Sequence, residues 1–288
     1  MPIMERRGKI LAGGVALVLL AGLGGFAAWR LADPSPGETL ALPVPPVPPR
    51  IATGKDYEDC LAMLTADPAG AHGFAEAWEA TGGGVGATHC LGLSEIALGN
   101  AESGAEMLEQ LGAESSAPAV GAARTAIPGA ARAIILGQAM QAWLMAGDAA
   151  RAFGDATLAL MLAPDDPDLL IDRSIAAATL ERYQDAVADL DHALALDPRR
   201  VDALVYRAAA WRELGDLARA EENIEEALAL DPDNADALLE RGILRQRYGD
   251  LSGAREDWQR AEALAPNTPT SDLAEQNIAL LDAGPEQP

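Results

Sequence analysis

Apolar positions along this chain follow two regimes. From Ile10 to Trp29 no residue is charged, so a helix here would have no polar face. Further along, apolar residues keep to one side of short helical stripes. Between Val201 and Asn234 they fall at Leu204, Val205, Ala208 and Trp211, three or four apart, which places them on one helix face. Gly215 and Asp216 interrupt the stripe, since glycine readily takes the left-handed conformation that closes a helix. A second stripe runs through Leu217, Ala220, Ile224, Ala227 and Leu228 until Asp231 and Pro232 stop it, because proline disfavours helix at the residue before it. The pattern predicts two amphipathic helices joined by a tight turn.

The same pattern returns at a fixed step. Pro164, Pro198, Pro232 and Pro266 are spaced by 34 residues. Alanines hold that step at Ala152, Ala186, Ala220 and Ala254, and again at Ala159, Ala193, Ala227 and Ala261; leucines hold it at Leu162, Leu196, Leu230 and Leu264. A larger residue stands at Leu190, Ile224 and Trp258, with Ala156 in the earliest copy. These columns resemble the tetratricopeptide repeat, a helix–turn–helix unit of 34 residues. The resemblance is fullest at Leu238, Gly242, Gly249, Ala254, Trp258, Ala261 and Pro266, and it extends over four copies, 133–166, 167–200, 201–234 and 235–268. The copy at 167–200 departs from it with Glu181 where glycine is usual.

The expected fold is therefore all-α, a right-handed α-solenoid of helix hairpins preceded by one membrane helix. Upstream, Leu91, Leu98, Leu108 and Leu111, and further back Tyr57, Leu61, Phe74 and Trp78, suggest degenerate hairpins within 51–132, with 113–132 an irregular connection. At the other end, Ser271 to Asp282 reads as a solvating helix capped by Ser271, in a final segment 269–288. Arrays need such a polar last element.

The first fifty residues point to export. Residues 10–29 form a 20-residue apolar run, which as a helix at ~1.5 Å per residue spans ~30 Å of hydrocarbon. Arg6, Arg7 and Lys9 precede it, which keeps residues 1–9 in the cytoplasm and sends the rest across. The run is longer than a usual signal core, which favours an uncleaved anchor; the alternative is a secreted chain cleaved after Ala27. Seven prolines between Pro34 and Pro49 make 30–50 an extended spacer. With only Lys9 and Lys55 as lysines, the composition suggests a GC-rich bacterial genome, and so a single-pass inner-membrane protein with its bulk in the periplasm.

Charge and chemistry narrow the function. The net charge of −23 repels phosphate backbones and argues against nucleic-acid binding. Cys60 and Cys90 are the only cysteines, and in an oxidising compartment a disulfide between the first helices of neighbouring hairpins is expected. With His72 and His89 they lack the short paired spacings of a zinc site. Gly82, Gly84 and Ala87 form a loose dinucleotide-loop string, but no strand precedes it. Carboxylates such as Glu221, Glu222, Glu225 and Glu226 read as a solvated face. No catalytic constellation, metal site or cofactor motif stands out, so a non-enzymatic protein is expected. Arg173, Arg207 and Arg241 recur sixteen residues before Asp189, Asn223 and Asp257, a set of pairs expected to tie one helix of each hairpin to the other.

The resemblance implies that the hairpins stack into a curved array whose first helices line a concave face that holds extended peptides or partner helices. In this chain that face corresponds to Asp168, Ile175, Asp202, Val205, Arg212, Asp236, Leu239, Ile243 and Arg247: an apolar centre, an acidic entrance and two arginines at one end. The lysine and asparagine side chains with which the family's best-known variant grips a carboxylate terminus are missing at these positions, so that specificity does not carry over. The expected function is a scaffold or assembly factor for envelope proteins; the alternative is a fixed structural subunit of an envelope complex.

Overall fold

A computed structural model describes residues 51–113 and 127–283. The expected tail 1–9, membrane helix 10–29 and spacer 30–50 lie outside the described residues, as do most of the expected irregular connection and the last residues of the C-terminal tail. Among the described residues no helix is long and apolar enough to cross a membrane.

Thirteen helices and no strand are found among the described residues. Two hairpins come first: α1 (Lys55–Ala66) with α2 (Pro68–Ala80), and α3 (Gly84–Ala97) with α4 (Ala101–Ala113). Four more follow: α5 (Gly129–Ala146) with α6 (Ala149–Leu162), α7 (Pro167–Thr179) with α8 (Tyr183–Leu196), α9 (Val201–Glu213) with α10 (Leu217–Leu230), and α11 (Ala235–Arg247) with α12 (Leu251–Leu264). The last helix is α13 (Pro269–Ala283). Each helix packs on its neighbours in the chain, and several first helices also touch the first helix of the next hairpin, so the core runs along the array, with a large cluster reaching from α1 into α11 and a separate one over α11–α13. This is the arrangement of an α-solenoid, in which a unit buries its apolar face only against adjacent units.

The repeat columns are the points of closest packing. All eight alanines of the two alanine columns are fully buried, as are Leu190 and Trp258. Small residues let the paired helices approach, and the large side chains fill what remains. Gly242 shows how tight the approach is, since a Cβ there would collide with the Trp258 indole, whose N–H donates to the Leu239 carbonyl at 3.2 Å. The expected arginine pairs form: Arg173 binds Asp189 through two bonds of 2.8 and 2.6 Å, and Arg241 binds Asp257 with the same two distances. Arg207 donates to the Asn223 side-chain oxygen at 2.7 Å.

Three of the four repeat hairpins build their inner turn alike. The first helix closes on a left-handed residue: Gly147, Gly215 and Gly249 have φ of 82°, 83° and 86°. The next residue's N–H then reaches back to the helix, Asp148 to the Trp143 carbonyl, Asp216 to Trp211 and Asp250 to Arg245. Those same aspartates cap the second helix by accepting from the N–H of Arg151, Arg219 and Gly253. The copy at 167–200 keeps the left-handed turn and the reach back, from the Arg182 N–H to the Ala177 carbonyl, but has neither the glycine nor the capping aspartate. Glu181 is forced to φ 58°, and Arg182 gives its helix no side-chain cap. Left-handed backbone is costly for a residue with a Cβ, so Glu181→Gly should raise stability by about 1 kcal/mol. Urea denaturation of the two proteins checks this, and an unchanged or lower midpoint would refute it.

Two sequence expectations are corrected. α5 begins at Gly129, inside the stretch 113–132 expected to be irregular. Pro128 stands just before the helix, where a missing N–H costs nothing, the alanines that follow are good helix formers, and Arg132 docks on α4 through the Gly112 carbonyl at 2.7 Å. At the other end, Ser271 is not the cap of the last helix. Thr268 and Ser271 form a reciprocal box, in which the Ser271 N–H donates to the Thr268 hydroxyl oxygen and the Thr268 N–H to the Ser271 oxygen. With Pro269 tolerated in the first turn, the helix starts two residues earlier than Ser271.

Candidate functional site

The face formed by the first helices carries the expected site residues, and burial divides them into two groups. Ile175, Val205 and Leu239 are no more than 7 % exposed, because neighbouring first helices cover them. The apolar centre expected of the groove is therefore part of the core and is not open to a partner. Arg212, also expected in the groove, is 5 % exposed and lies in a buried cluster with Glu213 of its own helix and Glu240 of α11. Burial alone would lower the affinity of its guanidinium for the proton, but the two carboxylates, Glu240 foremost, hold it above the ordinary arginine value. These four positions act in packing, and sequence spacing missed this because it reports the direction of a side chain without the depth of the cleft it enters.

The remaining expected residues face solvent in varying degree. Asp168, Asp202 and Asp236 occupy the same position of α7, α9 and α11, and each is partnered. Arg200 bridges two of them, donating to Asp168 at 2.9 Å and to Asp202 at 3.1 and 2.9 Å. Burial would raise the Asp202 pKa, yet Arg200 and the Ala203 N–H keep it below the ordinary carboxylate value. Asp236 accepts from the Thr270 hydroxyl at 2.6 Å. Thr270 stands 34 residues after Asp236, so α13 occupies the place of a further first helix and closes the row. The acidic entrance is thus a ladder of hydrogen-bonded carboxylates, two of which share one cation. Ile243 is half-buried and Arg247 is exposed, which leaves an apolar patch beside a cation at the C-terminal end of the face.

The N-terminal hairpins hold the other expected feature. Cys60 on α1 and Cys90 on α3 are joined in a disulfide with Cα atoms 6.4 Å apart, and both helices are the first of their hairpins. Beside it runs a buried polar chain that sequence reading missed: the Tyr57 hydroxyl lies 3.1 Å from His89 Nδ1, and His89 Nε2 lies 2.6 Å from the Gln138 side-chain oxygen. It links three successive first helices. Burial drives the His89 pKa down to about 4, against the pull of Gln138. His72 and His89 do not converge on the cysteines: His72 is 2.8 Å from Glu95, and among the described residues no group of three or more possible ligands could hold a metal.

Two family models described as tetratricopeptide repeat match the chain, one over residues 141–211 and one over 201–234. Residues 141–234 are tetratricopeptide repeats. Comparison with curated protein sequences gives no match. Among solved structures, the thermophilic tetratricopeptide repeat protein TTC0263 of Thermus thermophilus superposes with a TM-score of 0.51 at 20 % identity, over 67 % of this chain and 97 % of that one. The MamA fragment 41-end from Desulfovibrio magneticus RS-1 gives 0.51 at 18 % identity, over 62 % and 94 %. The Cut9–Hcn1 hetero-tetramer gives 0.55 at 14 % identity, over 77 % of this chain and 42 % of that one. At these identities the likeness concerns the fold. Tetratricopeptide repeats account for the alanine columns, the left-handed turns and the row of first helices, all of which recur here at the 34-residue step.

Proposed function

We propose that this protein is a membrane-anchored scaffold that binds other proteins outside the cytoplasm through the face of its first helices. The anchor is the uncharged run 10–29 with its preceding bases, and 30–50 is the spacer that lifts the array off the bilayer. Confinement to the membrane raises the effective concentration of the array toward other envelope proteins. The observation that carries the reading is the continuous face of first helices, which ends in the apolar Ile243 beside the exposed Arg247 with the partnered aspartates leading to it. A partner segment with an apolar anchor and an acidic flank fits that end.

The test is crosslinking of the full chain in intact cells, followed by purification from detergent-solubilised membranes. The wild type is compared with an Ile243→Glu/Arg247→Glu double variant, chosen because neither side chain is in the buried core and the fold should survive; circular dichroism checks that it does. Crosslinked proteins that depend on the two side chains should fall at least tenfold in the variant. A partner set unchanged in a folded variant would remove this face as the site. Recovery of the chain in the soluble fraction would remove the anchor.

A further inference from the structure

The arginine pairs that tie each hairpin together have one gap. Asp155 stands 34 residues before Asp189 and 102 before Asp257, in the same column. The arginine that pairs with it in the later copies, Arg173 or Arg241, is replaced at this step by Ala139. Ala139 is fully buried and Asp155 is only 3 % exposed, so bulk solvent does not reach the carboxyl in place of the lost partner. The Asp155 Oδ2 atom makes no hydrogen bond, and neither does the Trp143 indole N–H from the other helix of the hairpin. Among the described residues these are the two buried side-chain polar atoms left without a partner.

The surrounding charges do not repair the gap. Glu109 of α4 adds a like charge, and Arg151 of α6, which attracts Asp155, is shared with Glu106 and stacked on the Trp143 ring. Arg132 is the only charged residue of α5 and is held by the Gly112 carbonyl. From α7, Arg173 is bound to Asp189 and reaches α6 at Thr157 and over the Phe153 ring, while Asp168 and Asp172 are bonded to Arg200 and Gln141. A buried, unpartnered carboxylate is stable only when it keeps its proton.

We infer that the α5–α6 hairpin is a pH-responsive joint in the array, closed when Asp155 is protonated and loosened when it ionises. Burial, reinforced by Glu109, raises the Asp155 pKa from 3.8 to about 7, against the nearby Trp143 indole and the Arg151 charge. The folded hairpin therefore holds a proton that the unfolded chain has lost. Its stability falls as pH rises from about 4 to 7 and levels off above. His89 acts in the opposite sense on α1, α3 and, through Gln138, α5: its folded-state pKa is depressed, so its contribution is full above the ordinary histidine value and is lost as pH falls toward about 4. Asp155→Asn leaves His89 in place and so separates the two.

The experiment is amide hydrogen exchange of the full chain at pH 5 and pH 8, corrected for intrinsic rates and read segment by segment. Protection of α5 and α6 should drop at least tenfold at pH 8 in the wild type and should not drop in Asp155→Asn, whose amide is neutral at both. Equal protection at the two values in the wild type, or the same drop in Asp155→Asn, would overturn the inference. If Asp155→Asn does not fold, Ala139→Arg supplies the arginine of the other copies and should likewise abolish the drop. A drop that persists there would overturn it equally.

Discussion

Replacing Arg212 with methionine should destabilise the array by about 3–5 kcal/mol, the range found when one partner of a buried ion pair is removed. Arg212, Glu213 and Glu240 have side chains only 5 %, 4 % and 8 % exposed, so the substitution leaves two carboxylates facing each other away from water with no cation between them. The cost is the desolvation of two unpaired charges plus their repulsion, and it exceeds the loss of the guanidinium's own contacts. Arg212→Met/Glu240→Leu should recover much of the loss, because the remaining carboxylate then has no like charge facing it. Arg247→Met, on the same face but exposed, is the control and should change stability by less than about 0.5 kcal/mol. Urea denaturation measures all of these. A loss below about 1 kcal/mol for Arg212→Met, or no recovery in Arg212→Met/Glu240→Leu, would show that the cluster is not electrostatically coupled.

Arg212 also shows where sequence and structure part. The 34-residue step was legible because packing repeats: Ala152, Ala186, Ala220 and Ala254 are each fully buried where two helices touch. The arginine pairs were legible for the same reason, since a sixteen-residue offset across a two-helix unit recurs with it. Periodicity does not report depth, however. Leu196 and Leu264 keep the step and are exposed, whereas Val205 and Leu239 lie on the face expected to be open and are buried. A helical stripe fixes the direction of a side chain relative to its own axis. Whether that direction opens on solvent depends on how close the next hairpin comes, and that distance is set by residues 34 positions away. The gap at Ala139 is the reverse case. It was visible as a missing arginine in an otherwise regular column, and its meaning depended on knowing that Asp155 stays buried without it. The Tyr57–His89–Gln138 chain left no trace in the sequence, because Tyr57 and His89 belong to irregular hairpins that share no register with the repeat copy holding Gln138.

Removing the Cys60–Cys90 bridge should cost the N-terminal hairpins about 3–4 kcal/mol, and the effect should be local. The bond closes a loop of 30 residues, and the chain-entropy account gives a cross-link of that span a value in this range. Both cysteines are fully buried, so Cys60→Ala/Cys90→Ala removes the tether with little change in side-chain volume. In an array that is stabilised by nearest-neighbour contacts, a loss at one end does not spread evenly. α1 and α2 form the terminal hairpin and have a neighbouring hairpin on one side only among the described residues. The buried chain through Tyr57, His89 and Gln138 is then the main polar link left between α1, α3 and α5. The expected result is a thermal transition that splits in two, with an early step confined to residues 51–97 and a later one close to that of the wild type. Hydrogen exchange should place the early step in α1–α3, and reduction of the wild type should reproduce it. The early step should also shift with pH in the sense set by His89, weakening as pH falls from about 6.5 toward 4, because opening the hairpin lets the imidazole take up a proton that it cannot hold while buried. A single transition in the double variant, unmoved from that of the wild type, would mean that packing alone holds the first hairpins and that the bridge adds nothing to their stability.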